Sequence, residues 1–346
     1  MLTETTGVPP GLLDASARDL ERLLGGPTLL HLPGRRTPPL FISTLLHGNE
    51  DTGLVAVQAL LRHWQGRHLP RALSVFIGNV RAARAGLRRE DAQPDFNRVW
   101  PGTRSHLDTP EHRAMCAVTE RMRERGCFAS IDIHNNTGLN PHYSVVVSPD
   151  ARSLRLAALF GRIVTWFRGL HGSQTGAFAP FCPAIAVECG KPGTPANAER
   201  AYGFLDAALH LSELPDSAPA EGEIDLYHTA AIVTVAGDIE PAFGDRGAAL
   251  SFPADFDRMN FCELPPGFEF ACTRLAVALA AHDEHGADVT ADFFERRGDA
   301  LLLRRAAIPA MITLDTRVVR QDCLCYLMER VSRDRLRAAV PGDGGG

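Results

Sequence analysis

From residue 40 onward, short apolar runs alternate with longer amphipathic ones, and this alternation constrains the fold more than any other feature of the chain. Leu40 to Leu46, Leu73 to Gly78, Phe128 to Ile133, Tyr143 to Val147 and Ala184 to Val187 read as strands. Asp51 to Trp64, Thr109 to Arg125, Ala151 to Phe167 and Pro195 to Leu211 carry helical spacing. Thr109-Pro110-Glu111 supplies a helix start, with threonine as cap and proline in the first turn. Upstream, Leu13, Ala17, Leu20 and Leu24 predict a helix over 12–24. Strands alternating with helices predict an α/β layered domain with a largely parallel sheet. Sites in such domains gather where loops leave the carboxyl ends of strands, so the residues just beyond each strand matter most.

The pattern changes after residue 211. A Pro, Ser and Glu-rich stretch predicts a linker over 212–223. Beyond it, Ala230 to Val235 and Ala310 to Leu314 read as strands, with turns at Gly237-Asp238 and Gly298-Asp299. The expected organisation is an α/β domain over 1–211, the linker, a smaller β-rich domain over 224–340 and a disordered tail over 341–346. A chain of 346 residues is long enough for two such domains and their cores. No stabilising metal is needed at that size, so any metal-ligand constellation is free to be functional.

Composition narrows the classes of function. The formal charge of −5 advertises no polyanionic partner, and nucleic acid is not expected. No stretch approaches the roughly 18 apolar residues of a membrane span. Met1 to Thr5 lacks the basic start and apolar run of a secretory signal. The eight cysteines are scattered, as reduced thiols in a cytoplasmic protein would be. Lys191 is the sole lysine, and it sits in Glu188-Cys189-Gly190-Lys191.

Three strand ends carry chemistry. The first strand stops at His47-Gly48-Asn49-Glu50, a histidine and a glutamate three apart on a loop that opens a helix. Zinc accepts both donor types, and catalytic zinc sites often use two His and one Glu. By itself such a pair arises often by chance. A second strand ends in Asp132-Ile133-His134, where His134 can join the same ion and Asp132 can accept the ring hydrogen of that histidine. A third, Pro183 to Val187, ends at Glu188. A carboxylate there is costly unless paired or set in a cleft, and a base is needed to move protons between water and a leaving amine. Glu188 is the best candidate; a structural ion pair with Lys191 or an arginine is the bland alternative. Between residues 78 and 102 stand Gly78-Asn79, Arg81, Arg84, Arg88, Arg89 and Asp95-Phe96-Asn97-Arg98. Arginine forks bind carboxylates at two points and can stabilise an oxyanion.

Other signals fall away. His282-Asp283-Glu284-His285 departs from the metalloprotease His-Glu-x-x-His and reads as a solvated helix end. Cys323 and Cys325 read as a core pair on one face of a strand. There is no Gly-x-Ser-x-Gly elbow, and the proline after Lys191 spoils a phosphate loop.

Taken in order, His-Gly-Asn-Glu at 47–50, Gly-Asn at 78–79, Asp-Phe-Asn-Arg at 95–98, Asp-Ile-His at 132–134 and Glu-Cys-Gly-Lys at 188–191 resemble the succinylglutamate desuccinylase/aspartoacylase family of the zinc carboxypeptidase superfamily. The resemblance runs from about residue 40 to 195. It implies a mixed α/β sheet flanked by helices and followed by a β-rich domain. It implies one Zn2+ per chain on His47, Glu50 and His134, with Glu188 as general base and acid. Arg88 would polarise the scissile carbonyl, with Arg89 as fallback, and Asn97 and Arg98 would hold a substrate carboxylate. The family's tyrosine from the second domain has Tyr326 or Tyr227 as counterpart. Ser173 to Pro180 lacks the further arginine of aspartoacylase, which argues against N-acetylaspartate itself.

The expected activity is hydrolysis of the amide bond of an N-acyl amino acid. A carboxypeptidase acting on short peptides is the alternative within the same chemistry, and a non-catalytic zinc-binding protein the alternative outside it. Sequence leaves the oligomeric state open, a homodimer included.

Overall fold

The computed structural model describes residues 2–220 and 222–332, which form two compact units. The first runs to Asn135 and resumes over His142–Asp225; the second takes Asn136–Pro141 and continues from Leu226. The tail expected over 341–346 lies outside the described residues.

The first unit is built on a mixed sheet. Its strands are β1 (Thr3–Thr6), β2 (Thr28–Leu32), β3 (Leu40–Thr44), β4 (Leu73–Ile77), β5 (Ala129–His134), β6 (Tyr143–Val146), β7 (Ile163–Trp166) and β8 (Ala184–Glu188). They lie in the order β1-β2-β4-β3-β5-β8-β6-β7. The centre, β4-β3-β5-β8, is parallel, while the β2/β4 and β6/β8 pairs are antiparallel. The helices are α1 (Leu20–Leu24), α2 (Thr52–His63), α3 (Val80–Ala85), α4 (Pro110–Arg125), α5 (Ala151–Phe160), α6 (Gln174–Phe178) and α7 (Pro195–His210). Central strands buried throughout need cover on both faces. Phe41 and Phe76 pack with Met115, Val118 and Met122 of α4 and Phe178 of α6. On the opposite face α2 lies so close that a Cβ on Gly53 would meet Thr44 Oγ1 at 2.4 Å.

Helix starts follow local chemistry. Thr109 Oγ1 accepts from His112 N, and Asp150 accepts from Ser153 N, each satisfying a donor the helix leaves unpaired. Two expectations change. The helix expected over 151–167 ends at Phe160, because Gly161 interrupts it and the β-branched and aromatic residues Ile163–Trp166 form β7 instead. The helix expected over 12–24 breaks into 3-10 turns at Leu12–Asp14 and Ala17–Asp19 before α1. There Ser16 Oγ bonds Asp19, and Gln58 Nε2 takes up the released carbonyls of Leu12 and Ala15.

The stretch 212–223 is tied to the first unit. Arg152 pairs with Asp216, and Arg155 donates to the Ser217 and Ala218 carbonyls and pairs with Glu223.

In the second unit, Asp225–Val235 pairs antiparallel with Cys325–Arg330 and Leu279–His282. A separate five-stranded sheet packs around Phe252, Phe256 and Phe270. The strand expected over 310–314 is instead Ile308–Ala310. Met311 takes a left-handed φ of 68°, and Asn140 and Asn260 side chains, not a sheet partner, accept from the Met311 and Ile312 N–H groups. His282 ends a strand, and Asp283–Gly286 is a turn in which Asp283 accepts from His285 N and Ala287 N; the helix-end reading is therefore corrected. No described helix is long and apolar enough to cross a membrane.

Candidate metal centre and active site

Three adjacent parallel strands deliver the site. β3 leads to His47, β5 ends at His134 and β8 ends at Glu188, with His134 and Glu188 paired in register. Between β3 and His47 the chain reverses through Leu45, a fully buried non-glycine residue held at φ 54°. Such a conformation persists only where surroundings impose it; here Leu45 O accepts from Asn79 N at 2.6 Å. The following loop then packs directly on α3, where a Cβ on Gly48 would lie 2.2 Å from Ala83 N. No other residue fits at 48.

This path brings two imidazoles onto one carboxylate. His47 Nδ1 lies 2.8 Å from Glu50 Oε1, and His134 Nδ1 lies 2.8 Å from Glu50 Oε2. All three side chains are buried, and their donor atoms lie within 4.8 Å of one another. The far side of each ring meets a second carboxylate. Asp132 Oδ2 is 2.7 Å from His134 Nε2, and Asp95 Oδ1 is 3.1 Å from His47 Nε2. Carboxylates on both Nε2 atoms fix the N–H there and leave each Nδ1 free to ligate.

The electrostatics favour a cation. Burial opposes protonation of His134, yet Asp132 and Glu50 hold it well above its ordinary value. Burial and Arg88 oppose protonation of His47, and Glu50 and Asp95 outweigh them. Against its own burial, Glu50 is held below the usual carboxylate range by the two histidines. Two nitrogens and a carboxylate oxygen, dry and surrounded by negative charge, suit zinc. Among the described residues, this is the set with metal-ligand geometry, and it has three members.

Glu188 behaves differently from Glu50. Burial raises its carboxyl to about 7, the charge of Glu50 adds to the rise, and His134, His47 and Arg88 oppose it. A carboxyl near neutrality can both take and give a proton at physiological pH.

Arg88 belongs to the same cluster. Its Nη2 donates to Asp95 Oδ2 at 3.1 Å, its Nη1 is 3.7 Å from Glu50 Oε1, and its carbonyl accepts from Gly48 N. Arg89 turns instead to the Gln93 carbonyl. Asn97 is buried, with Nδ2 3.1 Å from His134 Nε2 and Oδ1 accepting from Gln174 N at 2.9 Å. Arg98 is half-buried, donates to the Asn97 carbonyl, and adds positive charge felt by Asp95. Lys191 is exposed. Tyr227 and Tyr326 lie on strands of the second unit, where Arg330 donates to Tyr227 Oη.

Around the site, Asp95 and Asn135 were not singled out by the sequence. Asp95 stood in a motif whose asparagine and arginine drew attention, and its acidity beside a histidine site was the available signal. Asn135 caps α2 by accepting from Thr52 N, while its Nδ2 donates to Gly190 O and its backbone N donates to Glu50 Oε2. It thereby ties the loop that carries His47 and Glu50 to the segment that follows Glu188. Nothing in one sequence marks an asparagine for that task.

Residues 36–180 match the succinylglutamate desuccinylase/aspartoacylase catalytic domain. No curated protein sequence matches the chain. The fold is similar to that of the succinylglutamate desuccinylase from Chromobacterium violaceum, with TM-score 0.58, 17% identity and 86% of each chain covered. It is also similar to murine aminoacylase 3, with TM-score 0.54 and 16% identity, covering 86% of this chain and 96% of that one. The ectoine utilization protein of Ruegeria pomeroyi, solved with product bound, gives TM-score 0.55 and 13% identity over 88% of each chain. At such identities the likeness is one of fold. The match to the succinylglutamate desuccinylase/aspartoacylase catalytic domain spans residues 36–180, and the likeness of fold to these solved structures extends over most of the chain.

Proposed function

We propose that the protein is a zinc-dependent hydrolase that cleaves the amide bond of an N-acyl amino acid, with one Zn2+ per chain on His47, Glu50 and His134. The observation that carries the proposal is the meeting of these three donors at neighbouring strand ends, with Glu188 in register beside His134. The ion, when bound, supplies a Lewis acid that polarises a carbonyl and lowers the pKa of water towards about 7. Glu188 then takes the proton of the attacking water and returns it to the departing nitrogen, a role supported by its raised carboxyl. Arg88 steadies the negative charge that develops on the carbonyl oxygen. Asn97 and Arg98 orient the substrate through its free carboxylate, which converts remote binding into reactive geometry.

A three-donor set favours catalysis over a structural role, because structural zinc is ordinarily closed by four protein ligands. The proposal includes a cytoplasmic setting, consistent with eight scattered cysteines.

The test is a panel of N-acetyl and N-succinyl amino acids beside dipeptides and longer peptides. Acylated amino acids should be the better substrates. Faster trimming of peptides would transfer the site to a carboxypeptidase, and no turnover of either class would overturn the assignment. On the best substrate, Arg98→Ala should raise KM about 10–100-fold, as loss of a charge-assisted bond of about 1.5–3 kcal/mol predicts. The same enzyme assayed on a neutral ester of that substrate should show little change. Equal effects on acid and ester would remove Arg98 from the carboxylate clamp.

A further inference from the structure

Ser43 is out of character in its strand. β3 reads Leu40-Phe41-Ile42-Ser43-Thr44, every residue buried, and Ser43 has no exposed surface. A hydroxyl in so dry a position is costly unless bonded. Its partner comes from the sheet register, which sets Ser43 opposite Asp132 on β5. Ser43 Oγ donates to Asp132 Oδ1 at 2.6 Å, the length of a hydroxyl on an ionised carboxylate. The other oxygen, Oδ2, lies 2.7 Å from His134 Nε2. Asp132 is likewise completely buried, and its carboxylate is held at both oxygens.

A carboxylate bonded through one oxygen alone can rotate about its Cβ–Cγ bond. Bonded through both, it is fixed in plane, and the imidazole that meets it inherits that orientation. We infer that Ser43 is a positioning residue for the metal: through Asp132 it fixes the ring of His134 and so sets the affinity of the centre. This inference rests on the metal site proposed above.

Partners one layer behind a ligand change metal affinity by about 10–100-fold when removed. Ser43 stands one bond further out, and Ser43→Ala should weaken zinc binding by about tenfold. The measurement is competition of the protein with a chelator of known zinc affinity, on samples whose folding is checked by circular dichroism. Ser43→Thr, which keeps the hydroxyl, should restore binding to near the wild-type value. In an Asp132→Asn background, Ser43→Ala should add almost nothing, since the two act through one ring. Should Ser43→Ala fail to fold, Ser43→Cys keeps the shape with a feebler donor and should lose several-fold in affinity. Wild-type affinity in a folded Ala or Cys variant overturns the inference, as does full additivity with Asp132→Asn; a purely structural hydroxyl would change the melting temperature alone. Wild-type protein that takes up no zinc overturns the metal site itself, which is a separate and earlier failure.

Discussion

In the Glu188→Gln protein, turnover is expected to fall about 10²–10⁴-fold while zinc content stays that of the wild type. Glutamine keeps the size of the side chain and cannot carry the proton. The proposed metal donors lie on His47, Glu50 and His134, so the ion would have no reason to leave. Loss of zinc together with activity would make Glu188 a ligand; near-normal rates would remove it from the reaction. A second readout comes from stability in chelator. Burial raises the Glu188 carboxyl from an ordinary 4.5 to about 7, so the folded chain prefers it neutral. Well below pH 4.5 the group is neutral folded and unfolded, and it costs nothing. As pH climbs through that window the unfolded chain ionises first, and stability drains away until the folded group ionises near 7. Glutamine carries no such penalty. The metal-free variant should therefore melt above wild type at pH 8, with the gap closing towards pH 5. A constant gap across that range would mean that the carboxyl is not held neutral by burial.

His134→Ala should lose the ion altogether. Elemental mass spectrometry of the purified protein should find about one zinc per chain in wild type and almost none in the variant. The physical reason lies in the geometry, because two donors left behind cannot hold the ion against water. Chelator should lower the wild-type melting temperature and leave that of the variant unmoved. Binding at a hundredfold excess over Kd stabilises the folded state by about 2.7 kcal/mol. His47→Ala should behave alike, and this matters because removing His134 also strips Asp132 of its buried partner. Zinc retained in both variants would place the ion elsewhere.

The sequence was most readable where physics is local or repetitive. The alternation of strands and helices gave the central sheet to within a residue or two, because buried parallel strands are continuous apolar runs. His47, Glu50, His134 and Glu188 announced themselves as polar residues ending such runs. Asp132 was legible as an acid two residues before a strand-end histidine, and it does meet that ring. What stayed hidden depends on tertiary partners. The break at Gly161 competes with strong helical spacing, and the turns over 12–19 rely on Gln58 from α2. Asp95 and Asn135 acquire meaning when the fold sets them beside His47 and Glu50, and Ser43 when the register sets it beside Asp132. Arg88 and Arg89 are indistinguishable in sequence; their neighbours Asp95 and Gln93 separate them.

The proposed ligands come from the loop after β3 and from the end of β5, strands distant in sequence and adjacent only in the finished sheet. Such non-local pairing is slow to form, since loop closure precedes any reward from contact. Half a site would offer an ion little, so zinc bound as proposed would meet a completed centre and not a nascent one. Its stabilisation would then belong to the native state and be absent from the folding transition state. Interactions of that kind leave the folding rate alone and slow unfolding. Bound as proposed, the ion would be a lock on the finished structure with no part in building it.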